Sequence, residues 1–329
     1  MKTIAHSIIL IATTLISLAC LGEVVESSTK VDVQTGMKLL EKPDSGSLSQ
    51  AISIFQKALS TNSNQKEAHM GLVYARLIEY AHSPRKDSKG LQDALVHVDW
   101  VLKQNPKQEE AYINKSQILF FLGRHNEGLS TLKSAREKLP YATDLPVAQV
   151  VYFVQLGKTE EAIQFSRQTA TRGKEGAELQ IRFGIVWLQA GQVQLAKEHL
   201  ARSIQIQESP WAWKEIGLCY MAEQNWEMAA KCFNQTLSMD KGFYPVYNLL
   251  TYCYIKQGKY SEAIESSTSY LKAFPQDLPA LENLAVVYEK TGDKRQARLA
   301  WTKLRIQTKD PAQKQRASEH INTFGKTIQ

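Results

Sequence analysis

Apolar residues in this chain fall on helical stripes, and the stripes come in pairs. Trp213, Ile216, Gly217 and Tyr220 sit at i, i+3, i+4 and i+7, one face of an α-helix. After a turn at Gln224–Asn225–Trp226, a second stripe takes over with Ala229, Phe233, Thr236 and Leu237. A helix with one apolar stripe needs a neighbour to bury it, so the pair predicts a helical hairpin from Pro210 to Phe243.

The hairpin recurs along the chain. A small residue returns in each second helix at Ala94, Gly128, Ala162, Ala196, Ala229, Ala263 and Ala297; five of those six steps are 34 residues and one is 33. Small side chains there let two helices cross closely. Gly123, Gly157, Gly191, Gln224, Gly258 and Gly292 keep the same beat at the ends of the first helices. Glycine suits that place, because the chain leaves the helix in a left-handed conformation. Pro106, Pro140 and Pro275 mark exits from second helices.

The pattern W-x2-L-G-x2-Y, then a small residue, F, A and P, resembles the tetratricopeptide repeat (TPR). Trp213, Gly217, Tyr220, Ala229 and Phe233 carry it most closely. Tyr247, Tyr254, Gly258, Ala263 and Pro275 carry it in the next unit, and Leu284, Ala285, Tyr288, Gly292 and Ala297 in the one after. Phe183, Gly184, Trp187 and Ala196 mark an earlier unit, whereas Val147–Phe153 keeps mainly the spacing. The resemblance covers roughly residues 46 to 309. It implies an all-α fold, a right-handed TPR superhelix (α-solenoid) of about seven helical hairpins with a C-terminal capping helix. It also implies a protein that binds a protein or peptide ligand, without saying which.

The first residues read differently. Lys2 precedes an apolar run from Ile8 to Leu18, broken only by Thr13, Thr14 and Ser17 and closed by small residues. The run is short for a transmembrane helix, so residues 1–19 read as a secretory signal peptide. Cys20 directly after it resembles a bacterial lipobox, in which the thiol is lipidated; Ser17 departs from the leucine usual there. The alternative is a soluble exported protein cleaved after Ala19, periplasmic or secreted. Residues 20–45 then form a lipid-anchor tether and a partial first helix around Val33, Met37, Leu39 and Leu40; 46–311 form the repeat array and 312–329 the cap. The step from Ala51 to Ala94 is 43 residues, and the surplus at 80–90 predicts an extended loop inside one hairpin.

In the family that the pattern resembles, first helices line a concave groove. Transferred to this chain, the partner-binding groove holds Tyr74, Asn114, Gln117, Arg182, Trp211, Lys214, Asn248, Tyr252 and Asn283. Trp211 stands out because it lies two residues before the packed Trp213, about 200° round the helix. The family's clamp for C-terminal carboxylates needs lysine and asparagine together in one helix; here Lys214 is followed by Leu218, so that activity is not implied.

Composition adds limits. With 43% hydrophobic and 22% charged residues the chain is not a disordered one. The formal charge is +7, and loss of residues 1–19 removes only Lys2, leaving +6. The excess gathers from Lys290 to Lys314 without an aromatic–basic platform, so no nucleic-acid partner is expected, while anionic lipid or an acidic partner fits. Cys219, Cys232 and Cys253 read as free, buried thiols acting as small hydrophobes. No metal-binding spacing, nucleophile elbow or phosphate-binding glycine loop appears, and the seven histidines are scattered. The sequence therefore predicts no catalytic residue, no metal and no cofactor, and it sets no oligomeric state.

Overall fold

The structure, a computed structural model, describes residues 28–41, 43–83, 88–169 and 173–325. The expected signal peptide at 1–19, Cys20 and the first residues of the expected tether lie outside the described residues. Within them the chain forms seventeen helices and no strand, and it divides into two compact units at Ala170 and Thr171.

The first unit holds α1 (Ser28–Leu39), α2 (Ser45–Thr61), α3 (Lys66–His82), α4 (Lys89–Gln104), α5 (Glu109–Phe121), α6 (His125–Lys138), α7 (Asp144–Gln155) and α8 (Thr159–Gln168). The second holds α9 (Gly173–Gln189), α10 (Val193–Ile206), α11 (Pro210–Ala222), α12 (Trp226–Met239), α13 (Pro245–Lys256), α14 (Tyr260–Ala273), α15 (Leu278–Thr291), α16 (Lys294–Gln307) and α17 (Pro311–Gly325). Odd-numbered helices up to α15 open hairpins and even-numbered ones close them. Each helix packs on the next within its unit. First helices also touch first helices of the following hairpin: α1 with α3, α3 with α5, α5 with α7, α9 with α11, and α13 with α15.

Among the described residues this makes eight hairpins and a closing helix, in keeping with the expected solenoid of about seven. The first hairpin is α1–α2, whose first helix is complete because Phe55 of α2 gives it something to pack on. A β-carbon on Gly36 would stand 2.7 Å from the Phe55 ring, so only glycine lets the ring lie flat there. The same device recurs in the repeats that carry glycine at this place. A β-carbon on Gly217 would overlap the edge of the Phe233 ring, and one on Gly184 would meet Leu200 at 2.6 Å. Phe233 is fully buried, as its register requires.

Helix ends follow local chemistry. Ser209 caps α11 by accepting from the Ala212 N–H at 3.2 Å, with Pro210 just behind it, and Asn225 caps α12 in the same way at 3.1 Å. From α5 onward the first helices end in Schellman turns: the Arg124 N–H donates to Leu119 O at 2.8 Å and the Gly123 N–H to Phe120 O at 3.0 Å.

The surplus at 80–90 is divided between helix and connection. Tyr80, Ala81 and His82 belong to α3 and Lys89 and Gly90 to α4, which leaves six residues between the helices. The extension holds because Leu77 and Ile78 are buried and Tyr80 packs on Phe121 at 4.9 Å between ring centres. At the other end of the chain, α17 covers α15 and α16: Ala317 is fully buried beside Leu281, Ala285, Trp301 and Leu304.

Candidate partner-binding surface

The groove residues expected from the sequence all lie on first helices, yet the structure treats them differently. In the first unit, Tyr74 of α3 is only 3% exposed and belongs to the core with Val73, Leu77 and Leu91. Asn114 of α5 is buried, and its side-chain N–H group finds no partner. Gln117 is half-buried and accepts a long contact, 3.5 Å, from Gln155 of α7. These three side chains offer a partner little surface.

In the second unit the first helices are more open. Arg182 of α9 is half-buried and paired with Glu178 one turn earlier at 3.1 Å. Trp211 begins α11 and is 56% exposed, its ring meeting Phe243 edge-on at 4.7 Å. Lys214 Nζ lies 5.5 Å from the centre of that ring and 2.6 Å from the buried carboxylate of Glu215. Asn248 of α13 hydrogen-bonds the Tyr270 phenol, which donates in turn to Asp277 at 3.1 Å. Burial, then the Asp277 charge, raises that phenol above its ordinary value. Tyr252 is exposed, packs edge-on against Trp226 at 5.6 Å, and lies beneath Lys256 Nζ at 5.3 Å. Gln257 fixes the Trp226 backbone by donating to its carbonyl at 2.9 Å. Asn283 is half-buried on α15.

Two aromatic–cation patches result, one around Trp211 and Lys214 and one around Tyr252, Trp226 and Lys256. A lysine poised over an aromatic ring suits a partner that brings an apolar side chain and a carboxylate together. The sequence reading missed the continuation of the first patch. Tyr244 packs edge-on against Phe274 at 5.1 Å, and both are exposed. The missed signal was positional: Trp211, Tyr244 and Phe274 each stand where one hairpin passes to the next.

The histidines were also less scattered than the sequence suggested. His69 of α3 and His97 of α4 meet Nδ1 to Nδ1 at 2.8 Å, and Trp100 stacks on His69 at 3.9 Å. Trp100 is thus covered on one face by His69. Among the described residues no group of His, Cys, Asp or Glu is gathered that could hold a metal ion. The three thiols are buried, and desolvation pushes Cys219 and Cys253 up to about 12 and Cys232 to about 11, far from nucleophilic.

Comparisons with known proteins agree with this architecture. A family model described as tetratricopeptide repeat matches residues 253–311. The protein bimA of Emericella nidulans is 25% identical over 167 residues, which make up 50% of this chain and 20% of that protein. The chain thus spans about a fifth of the length of that curated relative. Yeast Tom70 shares the fold at a TM-score of 0.52 and 11% identity, over 94% of this chain and 66% of its own. A tetratricopeptide repeat protein from Parabacteroides merdae superposes over 91% of this chain and 99% of its own, at 13% identity and a TM-score of 0.43. Residues 253–311 thus match the tetratricopeptide repeat, and the other hairpins, with their left-handed glycine turns, repeat the same architecture.

Proposed function

We propose that the chain is a non-catalytic protein-interaction scaffold of the bacterial cell envelope, held to its membrane by a lipid on Cys20. A protein or peptide ligand engages the first helices of the second unit. The observation that carries this reading is the pair of aromatic–cation patches, with Trp211 56% exposed and Tyr252 39% exposed, each beside a lysine. Large aromatic side chains open to solvent on a rigid scaffold are the residues that dominate binding energy when a partner covers them. The first unit, whose corresponding side chains are closed, then serves as a spacer.

The test is a photo-crosslinking amino acid placed at Trp211, at Tyr252 and, as a control, at Val96, which is 68% exposed on α4. Discrete adducts at 211 and 252 but not at 96 support the reading; the same adducts at all three positions sink it. Membrane attachment is read separately, by labelling with radioactive palmitate and a Cys20→Ala control. No label in either chain favours a soluble periplasmic or secreted adaptor, for instance one that partners a solute transporter, and label that persists in Cys20→Ala rules out Cys20 as the acylated residue.

A further inference from the structure

We propose that the outward face of α16 is a contact surface for an anionic lipid membrane. The second helices of this unit generally neutralise their cations. Lys197 of α10 pairs with Glu223 at 2.7 Å, Arg202 with Glu198 at 3.0 Å, and Lys231 of α12 with Glu227 at 2.8 Å. Helix α16 departs from that habit. It carries Lys294, Arg295, Arg298, Lys303 and Arg305 and no acidic residue. Among the described residues none of these five lies within ion-pair distance of a carboxylate. The flanking acids are engaged in turns: Asp293 accepts from the Gln296 N–H and Asp310 from the Ala312 N–H, both at 3.0 Å.

The same face bears exposed aliphatic side chains. Ala297, Ala300, Trp301 and Leu304 form the buried stripe, so Arg295, Leu299, Thr302 and Ile306 lie on the opposite side of a helix with 3.6 residues per turn. Leu299 is 56% exposed and Ile306 73%. An apolar centre line with basic flanks is the pattern of helices that lie in a membrane interface. Lysine and arginine stems reach outward to phosphates while the aliphatic groups enter the acyl boundary.

An acidic peptide would satisfy the charge but not the aliphatic pair. Leu299 and Ile306 are seven residues apart on one helix, roughly 10 Å, and a single helix ridge offers no groove between them. A lipid surface needs none. The preceding second helix, α14, exposes Glu262 and Glu265, so the basic surface does not continue onto it, whereas Lys290, Lys309 and Lys314 on either side of α16 in the chain are exposed as well. Contact is therefore made by the end of the second unit, which leaves Trp211 and Tyr252 uninvolved. The proposal does not depend on what those residues bind.

The test uses the full chain carrying Cys20→Ala, so that no acyl chain holds it to lipid, and Ile306→Cys labelled with an environment-sensitive fluorophore. Vesicles rich in phosphatidylglycerol should shift the emission to the blue and shield the label from an aqueous quencher. Vesicles of phosphatidylcholine alone should not. Arg298→Glu with Arg305→Glu, both exposed positions, should weaken vesicle partition by at least about 25-fold, about fivefold for each cation lost. A label at Val96 should stay silent throughout. Attachment to both vesicle types without a change at 306 would show that the leader alone inserts, and would overturn the proposal. So would a 306 response to polyglutamate with none to lipid, which would assign the face to an acidic protein.

Discussion

The Tyr152 phenol lies where a β-carbon on Gly128 would stand, its oxygen nearest and its Cζ 2.6 Å away. Gly128 belongs to α6 and Tyr152 to α7, the first helix of the next hairpin. The phenol is 1% exposed and donates to the His125 carbonyl at 3.3 Å, and burial pushes its pKa up to about 12. Alanine serves at this place in the other hairpins because none of them sends a tyrosine into the crossing.

Gly128→Ala should therefore destabilise the protein by about 2 kcal/mol, the usual cost of overpacking. In a Tyr152→Leu background the sign should reverse, since alanine is then free to contribute its helix propensity, about 1 kcal/mol. Denaturant unfolding of the four proteins measures both. An equal cost in the two backgrounds would mean that the ring is not what excludes the side chain.

Gln224 takes the turn that glycine takes elsewhere. Its φ is 58°, against 72° to 77° for Gly123, Gly157, Gly191, Gly258 and Gly292, and the same Schellman bonds close it, Asn225 N–H to Tyr220 O at 2.9 Å. A side chain in this region costs about 1–2 kcal/mol relative to the ordinary helical region. Gln224→Gly should stabilise the second unit by about 0.5–1 kcal/mol after the larger backbone entropy of unfolded glycine is set against that relief. An unchanged melting curve would show that the glutamine turn carries no strain.

Why the fold was legible and the surface less so follows from these residues. The 34-residue beat is a backbone and packing rule: the left-handed turn needs glycine, the crossing needs a small residue, and both recur whatever the partner. Gln224 obeyed the beat even without the right side chain. The groove is read differently, because inward direction at one place in the repeat says nothing about how closely the neighbouring hairpin approaches. Tyr74 is closed by its neighbours where α3 runs long, whereas Trp211 stays open against a single edge contact with Phe243. The contact between His69 and His97, 28 residues apart on facing helices, leaves no spacing signature at all.

The buried thiols give a prediction that spans both the core and the turn geometry of the second unit. In a Cys20→Ala chain, Cys219, Cys232 and Cys253 should resist a thiol reagent at neutral pH and react together on unfolding. Their pKa values of about 12, 11 and 12 leave almost no thiolate, and all three side chains are shielded. Because the three lie in α11, α12 and α13, one kinetic phase would mark this stretch as a cooperative unit. Fast labelling of Cys232 alone would show instead that α12 opens separately.

The last prediction concerns acid. His69 Nε2 faces the Ser63 carbonyl at 2.9 Å, which can only accept, so that nitrogen carries the proton and His69 Nδ1 is left as an acceptor. His97 must then donate from its own Nδ1, and its Nε2 points toward Asp93 at 3.5 Å. Burial opposes a second proton on His97; the Asp93 charge favours one, while His69 and Arg76 oppose it, the latter held by Asp93 at 3.0 Å and Glu79 at 2.9 Å. The balance lowers the His97 pKa below its ordinary value. Unfolded His97 takes up its proton near pH 6.5 while the folded side chain still resists, so the unfolded state binds more protons in that window. Stability is then fully present above about pH 6.5 and declines as the pH falls below it. Carboxylates such as Asp44 and Glu127, whose folded values are lowered by hydrogen bonds, add their own loss only further into acid. Melting of the first unit should therefore weaken between about pH 7 and 5, and His97→Gln should flatten that part of the profile. If His97→Gln melts with the unaltered slope in this range, the acid sensitivity belongs to another group and the proton assignment across the pair is wrong.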